Sequence, residues 1–275
     1  MRVQTEEWRR FIPGVRMYKG KKTLFWNGEK LWEGDFHAGR PLIYDHEERG
    51  SWEVIIILPG VEVIPTWNFC ACMNVERVIM ADTVKRIEEK AFMDCTRLVF
   101  VKLSTNLEYI GLCAFACCCD LTSIFIPPSC REIVRYAFQM CERLIIFHVP
   151  QHTQLGDGMI EETALLEASP FADRGLAYGH EDHPEYSNIN NEVKEWLKNI
   201  NHAEEFALHR AFSSFNPLEE IIYELVKHQG ISSMKKPNGI GITPMQYLQE
   251  NPFAEIEEKK IVNRYVLDMM GEIVV

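Results

Sequence analysis

The chain has 275 residues, of which 47% are hydrophobic and 25% charged, the composition of a folded globular protein with material for one large or two ordinary domains. Its 29 lysines and arginines against 40 aspartates and glutamates give a formal net charge of -11, which argues against a nucleic-acid backbone or an anionic membrane as the main partner. The longest apolar run, residues 54–58, is far too short to span a bilayer.

The cysteines indicate a reducing compartment. All nine lie between positions 70 and 141, and their number is odd. Residues 1–11 mix charged and apolar side chains and lack the apolar run of a signal peptide. A secreted disulfide framework is therefore disfavoured, and we expect reduced thiols in a cytoplasmic protein.

Residues 1–51 are predicted to form an N-terminal β-hairpin cap. Residues 24–26 are apolar, Asn27 and Gly28 follow them, and a second segment runs from 29 to 32. An Asn-Gly pair between apolar runs is the strongest short signal for a hairpin. Because the open end of a stacked array needs a cover, we interpret this hairpin as the cap of the units that follow it.

A period of 23 residues dominates positions 52–166. Four columns keep this step in one register: Ile64, Ile87, Ile110 and Ile133; Phe69, Phe92, Phe115 and Phe138; Cys72, Cys95, Cys118 and Cys141; and Val75, Leu98, Leu121 and Leu144. A period in this range is typical of a solenoid built from stacked units. Since a solenoid offers an extended surface rather than a catalytic cleft, the period predicts a binding protein and not an enzyme.

Each unit combines a short strand with a second apolar cluster. The alternation of Val101 and Leu103 after Leu98 predicts a strand with one buried face. The cluster that contains Ile110 and the Ala-Phe pair ending at Phe115 predicts a short helical or tight-turn segment on the back of the solenoid. One unit cannot bury these side chains alone, but stacked units bury them as continuous ladders.

The outward side of the strands is the candidate binding surface. If Val78 and Met80 point inward, their neighbours along the strand point outward, and these outward positions are unusually apolar for a solvated sheet. An exposed patch of this kind usually marks an interface. The partner-binding candidates on it are Arg77, Ile79, Phe100, Lys102, Phe125, Ile146 and His148. The alternative is that the N- or C-terminal part of the chain itself covers this face.

Residues 167–189 are predicted to be a linker, and residues 190–275 a helical module. Prolines and glycines interrupt any periodicity in the first segment. In the second segment, apolar residues recur at helical spacing in 193–200, 218–226 and 253–270. The C-terminal part therefore predicts several helices and no further repeat of the 23-residue kind.

The repeat unit has a specific resemblance. The pattern Ile-x-x-x-Ala-Phe-x-x-Cys-x-x-Leu-x-x-Val-x-Leu is complete at 87–103, and close copies follow at 110–126 and 133–149. It resembles the BspA-type leucine-rich repeat, over about residues 52–166. The resemblance implies an array used for attachment and protein interaction, with no catalytic residues to assign.

A weaker resemblance concerns the C-terminal part. Residues 207–211 and 241–245 are similar to the openings of ankyrin-type helix pairs, although the step from His209 to Gln246 is 37 residues, against about 33 in ankyrin repeats. The whole chain resembles a set of repeat proteins from unicellular algae. That resemblance implies an architecture and no activity.

A thiol-based metal or redox sensor is the alternative function. Its thiols would be Cys113, Cys117, Cys118 and Cys119. The cluster lacks the paired Cys-x-x-Cys spacing of zinc sites, and the 23-residue cysteine column is explained more simply by small buried apolar side chains. We predict no cofactor and no metal.

Together these patterns predict an α/β repeat solenoid. A leucine-rich-repeat array of 23-residue units is expected between an N-terminal β cap and a C-terminal all-helical module. The predicted function is recognition of an unknown partner protein on the strand face, without catalysis and without a nucleic-acid or membrane partner.

Overall fold

The computed structural model describes residues 21–29, 51–167, 169–172, 186–200, 233, 235–237, 243, 244 and 246. The chain divides into two compact units, residues 1–198 and residues 199–275. Most of the helices predicted beyond residue 200, and most of the return segment of the N-terminal hairpin, lie outside the described residues. Within the described ranges, no helix is both long enough and apolar enough to cross a membrane.

The first unit is built on eleven short strands that form three sheets. The strands are β1 Thr23–Trp26, β2 Val54–Ile57, β3 Val63–Ile64, β4 Arg77–Met80, β5 Arg86–Ile87, β6 Phe100–Lys102, β7 Tyr109–Ile110, β8 Ser123–Phe125, β9 Glu132–Ile133, β10 Ile146–His148 and β11 Gln154–Leu155. One sheet has the order β1-β2-β4-β6, a second pairs β8 with β10, and a third has the order β3-β5-β7-β9-β11.

All the strand pairs are parallel, and their register repeats the period of the sequence. Val54 pairs with Arg77, Arg77 with Phe100, and Ser123 with Ile146, in steps of 23 residues. Each unit therefore adds one strand to the first or second sheet and a two-residue strand to the third. The β-solenoid with 23-residue units is confirmed, and β1 extends it by one rung because it pairs in parallel with β2.

A column of stacked phenylalanines fills the core. Successive rings from Phe69 through Phe92 and Phe115 to Phe138 lie 5.1, 5.2 and 5.4 Å apart between centroids and are nearly coplanar in orientation. Trp26 meets Phe69 edge-on at one end of the column, and Phe147 meets Phe138 edge-on at the other. Because identical side chains sit at identical heights in parallel register, each ring packs on its own copy.

The segment on the back of each unit is a tight turn, which decides between the two forms that the sequence left open. In two columns of these turns, non-glycine residues have φ between 51° and 63°: Trp67, Lys90, Cys113 and Tyr136, and Ala71, Asp94, Cys117 and Met140. Left-handed backbone cannot continue a right-handed helix. The turns hydrogen-bond to the next unit instead, as when the Phe92 amide donates to the Ala114 carbonyl at 2.8 Å.

The buried cysteines also link neighbouring units. The thiol of Cys95 donates to the carbonyl oxygen of Phe69 at 3.2 Å, and Cys118 and Cys141 make the same contact with Phe92 and Phe115. Only the neutral thiol can donate in this way, and burial raises the pKa of both Cys95 and Cys118. This column is thus a structural element of the core.

Asn68 breaks the alanine column of the turns, and we expect Asn68→Ala to stabilise the protein. The equivalent residues are Ala91, Ala114 and Ala137. Asn68 is 1% exposed, and its Nδ2 has no hydrogen-bond partner in the described part of the chain. Removing a buried unpaired amide is expected to raise the free energy of unfolding by about 1 kcal/mol, measured by urea denaturation.

The matched control is Ala91→Asn, which places the same amide one unit along. It should lower the free energy of unfolding by about 1–3 kcal/mol, because Ala91 is fully buried and has no space for a larger polar group. A loss of stability in Asn68→Ala would mean that the amide oxygen contributes more than the unpaired nitrogen costs.

Two helices follow the last repeat, α1 Ala164–Glu167 and α2 Tyr186–Ile200. The side of α2 that carries Ile189, Val193 and Leu197 is buried. Its polar contacts reach the last turn of the solenoid: the Gly158 amide donates to Asn190 Oδ1 at 3.0 Å, and Lys194 forms an ion pair with Asp157. The helix therefore closes the C-terminal end of the array, and it begins inside the segment predicted as a linker.

The contact between α2 and the array includes a buried carboxyl group. Glu161 is 2% exposed and accepts hydrogen bonds from the Tyr186 hydroxyl at 2.6 Å and from Gln139 Nε2 at 3.3 Å. Burial raises the pKa of Glu161 above its ordinary value near 4.5. Its ionisation therefore opposes folding.

We expect Glu161→Gln to remove a pH-dependent loss of stability. A carboxyl whose pKa is raised on folding favours the folded state fully below the unfolded value, and this contribution is lost as the pH rises through the folded pKa. The free energy of unfolding of Glu161→Gln relative to the wild type should therefore increase between pH 4 and pH 7 in urea denaturation. A difference that does not change with pH would contradict this role of Glu161.

The second unit is described at a few positions, and two of them form a helix cap. Thr243 N donates to Gln246 Oε1 at 2.7 Å, and the Gln246 amide donates back to Thr243 Oγ1 at 3.4 Å. Pro244 and Gln246 are helical. This reciprocal pair is a capping box with proline in the first turn, so a helix starts here. The ankyrin-like organisation of this part stays a prediction.

Candidate binding surface

The candidate surface is the outward side of strands β2, β4, β6, β8 and β10, which we name the strand face. Its side chains form two columns along the array: Val54, Arg77, Phe100, Ser123 and Ile146, and Ile56, Ile79, Lys102, Phe125 and His148. The side chains between them, such as Val78, are fully buried on the inner side. All seven predicted partner-binding residues therefore belong to one face.

The N-terminal half of the strand face is buried. Val54, Ile56, Ile79 and Ala81 are each 1–2% exposed and form one hydrophobic cluster, against which Phe25 and Leu58 pack. All four residues of β2 are buried. Strands covered on both sides have such continuous apolar runs. Ile79, which the sequence placed on an exposed patch, is a core residue here.

The C-terminal half has a buried floor and an accessible row. The floor consists of Phe100, Ser123 and Ile146, which are 4%, 2% and 2% exposed. Lys102 and the pair Phe125 and His148 are partly exposed beside it, and we name these three the accessible row.

The accessible row combines a cation with two rings. The rings of Phe125 and His148 lie 6.4 Å apart between centroids, at an interplanar angle of 27°. Arg77 is partly exposed as well, one strand before Lys102. Four of the seven predicted residues thus reach the surface, and Ile79, Phe100 and Ile146 support them from below. The period-2 alternation gave the side of each residue, but its depth depends on packing that alternation does not encode.

The cysteines of the alternative function differ in their surroundings. Cys118 is buried and donates to the Phe92 carbonyl, whereas the Cys117 thiol contacts Met140 Sδ at 3.7 Å. Burial raises the pKa of Cys113 and Cys119, and it raises that of Cys117 to about 12. The reactive thiolate is therefore scarce at neutral pH.

Metal binding finds equally little support in this cluster. Among the residues that the structure describes, no group of three or more His, Cys, Asp or Glu side chains is arranged to hold a metal ion. All nine cysteines are thiols. The geometry favours a structural role for them.

We expect the native protein to react with at most three equivalents of Ellman's reagent. Six cysteines are buried, and only Cys113, Cys117 and Cys119 are partly exposed. Because the pKa of each of these three is raised, their reaction at neutral pH should be slow. The same protein in denaturant should show all nine thiols. A rapid native reaction, or reversible loss of two thiols under mild oxidation, would support the sensor instead.

A polar groove lies at the C-terminal end of the array. It has a volume of about 310 Å³ and lies between β9, β11 and α2, where its charged lining comes from Glu132, Arg135, Asp157 and Lys194. The Lys194 ammonium already forms an ion pair with Asp157. No sequence motif indicated this groove, because it exists only through the packing of α2.

Comparison with known families identifies the repeat. Residues 62–173 match the model of the BspA type leucine rich repeat region, with six copies. The resemblance drawn from the pattern at 87–103 is therefore confirmed for this segment: it is a BspA-like leucine-rich-repeat solenoid. The likeness to algal proteins stays a prediction. No curated protein matches the chain significantly.

Several solved structures are similar to part of the chain. A leucine rich cell surface protein from Faecalibacterium prausnitzii A2-165 is 33% identical over 37% of this chain and 27% of its own, with a TM-score of 0.36. A leucine-rich repeat protein from Bacteroides ovatus is 18% identical over 42% of this chain and 44% of its own, with a TM-score of 0.33. The chain spans less than half the length of either protein.

Proposed function

We propose that the chain is a protein-interaction module that binds a partner protein on its strand face and has no catalytic activity. The leucine-rich-repeat segment at 62–173 supports an interaction role because such arrays present extended surfaces. The observation that carries the proposal is the accessible row: Lys102, Phe125 and His148 lie together at the surface beside a buried apolar floor.

The proposed mechanism separates anchoring from selection. The Phe125 ring supplies apolar area, and aromatic side chains near the centre of an interface carry much of the binding free energy. Lys102, His148 and Arg77 select the partner by charge and hydrogen bonding. Because Phe100 and Ile146 are already buried, the floor is ordered before binding, and ordering it costs no further side-chain entropy.

The proposed partner is a protein met inside the cell. The net charge of -11 opposes nucleic acid and anionic membranes as partners, and nine cysteine thiols suit a reducing compartment. The cytoplasmic location remains a prediction.

A pull-down with two matched double variants tests the proposal. Lys102→Ala/Phe125→Ala alters the accessible row, whereas Arg86→Ala/Tyr109→Ala alters a partly exposed pair on the third sheet, where the Arg86 guanidinium lies 3.9 Å from the Tyr109 ring. Proteins captured from the source cell's lysate are identified by mass spectrometry, and binding is repeated with the purified partner. We expect the first variant to lose the partner and the second to retain it, with both folded by circular dichroism.

A partner that both folded variants retain would place the binding site away from the strand face. A partner that only the third-sheet variant loses would move it to β5 and β7. Either result contradicts the proposed surface.

A further inference from the structure

We infer that the C-terminal half of the strand face binds a peptide segment in which carboxylates alternate with apolar side chains. This rests on the proposed function and names the chemistry of its partner. The accessible row, Lys102, Phe125 and His148, is the surface concerned, and the arguments come from its charge, its surroundings and its apolar content.

The two columns of the strand face contain no acidic residue. They carry Arg77, Lys102 and His148, in a chain that has 40 acidic residues against 29 lysines and arginines. The positions at the ends of these strands in the same half are uncharged as well: Val99, Thr122 and Ile145 on one side, and Ser104, Pro127 and Pro150 on the other. This half is therefore an acid-free patch on an acidic protein.

The acidic residues near the N-terminal half are already paired. Glu53 and Glu76 occupy the strand-start position there, and Lys21 Nζ forms ion pairs with both, at 2.9 and 3.1 Å. Arg97 adds a further ion pair to Glu76 at 3.1 Å. In the C-terminal half the equivalent positions are Val99, Thr122 and Ile145, so no carboxylate at these positions competes with a partner for Lys102.

The third sheet has the opposite character. Its exposed surface carries acidic and basic residues in cross-strand order, with Glu62 paired to Lys85 at 3.1 Å and Arg86 paired to Glu88 at 2.7 Å. Charges that pair within the chain leave little for a partner. An acidic segment is therefore repelled by most of this molecule and attracted to the strand face, which favours one docking orientation.

The apolar part of the segment follows from the rings. Phe125 stacks beside His148, and both are partly exposed next to the buried floor. A carboxylate alone would pair with Lys102 in water for little gain, since exposed ion pairs contribute only about 0–1 kcal/mol. An adjacent apolar side chain that covers Phe125 supplies the remaining affinity.

Selection from a random peptide library tests this inference without knowledge of the natural partner. Twelve-residue peptides displayed on phage are selected on the immobilised full-length chain, and the enriched sequences are synthesised and titrated by fluorescence anisotropy. We expect them to have a net negative charge and to contain aromatic or aliphatic residues. Their affinity should fall as the salt concentration rises.

Two charge reversals provide the matched comparison. Lys102→Glu should weaken the binding of the selected peptides by about tenfold or more. Lys85→Glu changes the same residue type on the third sheet and should leave the affinity within about twofold, because exposed pairs distant from an interface contribute little. Phe125→Ala should weaken binding as well.

The outcomes separate this inference from the proposed function. Peptides of neutral or positive charge that lose binding in Phe125→Ala would overturn the inference and leave the strand face as a binding surface. Peptides that bind Phe125→Ala and Lys102→Glu like the wild type would contradict both. A selection that enriches no peptide would show that the face is closed to an extended segment and would overturn the inference, while the lysate capture decides the proposed function.

Discussion

Phe115→Ala is expected to lower the free energy of unfolding by about 3–5 kcal/mol. The Phe115 ring is fully buried and packs between Phe92 and Phe138, at 5.2 and 5.4 Å between centroids. Truncation removes the ring from the core and leaves a cavity that the neighbouring units cannot fill, because hydrogen bonds such as that from Phe115 N to Ala137 O hold them in register. Two ring contacts are lost together with the buried area.

The size of this effect is measured by urea denaturation followed by circular dichroism. Tyr109→Ala is the control, since Tyr109 is a partly exposed aromatic residue in the same repeat, and it should cost about 1 kcal/mol or less. Hydrogen exchange should show that amides in the units next to Phe115 lose the most protection, because each unit of a solenoid contacts mainly its neighbours. A loss below about 1 kcal/mol would mean that the ring column is not the centre of the core.

The ring column is a part of the fold that the sequence predicts well. A side chain repeated every 23 residues must occur at one place in every turn, so the spacing of Phe92 and Phe115 specifies both the solenoid and its ladder. Parallel pairing in 23-residue steps then follows, as between Ile87 and Ile110. Local period and long-range contact carry the same information in a repeat protein.

The turns on the back of the solenoid were harder to predict. Their left-handed residues include Trp67, Lys90, Asp94 and Tyr136, and of these only Asp adopts this conformation with any preference. Tertiary hydrogen bonds between units override the local preference, as in the donation from Asp94 N to the Ala116 carbonyl at 2.9 Å. A residue-by-residue interpretation has no access to that compensation.

The C-terminal cap shows the same limit. Apolar residues at helical spacing indicate a helix around Val193 and Leu197. Nothing in that spacing indicates that the helix packs on the repeat array, because the contacts depend on single residues such as Asn190, whose Oδ1 accepts from Gly158 N. Polar pairs far apart in the chain leave no periodic signal.

For the candidate surface, the sequence gives the side of each residue but not its depth. Alternation along β6 places Phe100 and Lys102 on one side, and the structure agrees. Phe100 is nevertheless 4% exposed, whereas Lys102 is partly exposed. Whether an outward side chain is a contact residue or a floor residue depends on what packs against it, and two residues with the same pattern can therefore differ in function.

Phe100→Ala and Phe125→Ala are expected to have opposite profiles of stability and binding. Phe100 is a floor residue, so its truncation should lower the free energy of unfolding by about 3–5 kcal/mol. Phe125 is partly exposed, so its truncation should cost about 1 kcal/mol or less. In binding to the captured partner the order reverses: loss of the anchoring ring should weaken affinity by about 30-fold or more, the effect of removing a hot-spot side chain.

The comparison requires both variants to be folded when binding is measured. Urea denaturation gives the stability of each, and the affinity is then determined by titration at a temperature where the fraction unfolded is negligible. Phe100→Ala should retain most of its affinity under these conditions, because its ring does not reach the partner. If Phe125→Ala loses as much stability as Phe100→Ala, then Phe125 belongs to the floor, and Lys102 and His148 alone cannot supply an apolar anchor. A Phe125→Ala variant of full stability and unchanged affinity would instead remove the strand face from the binding site, since no partner that covers the accessible row could avoid that ring.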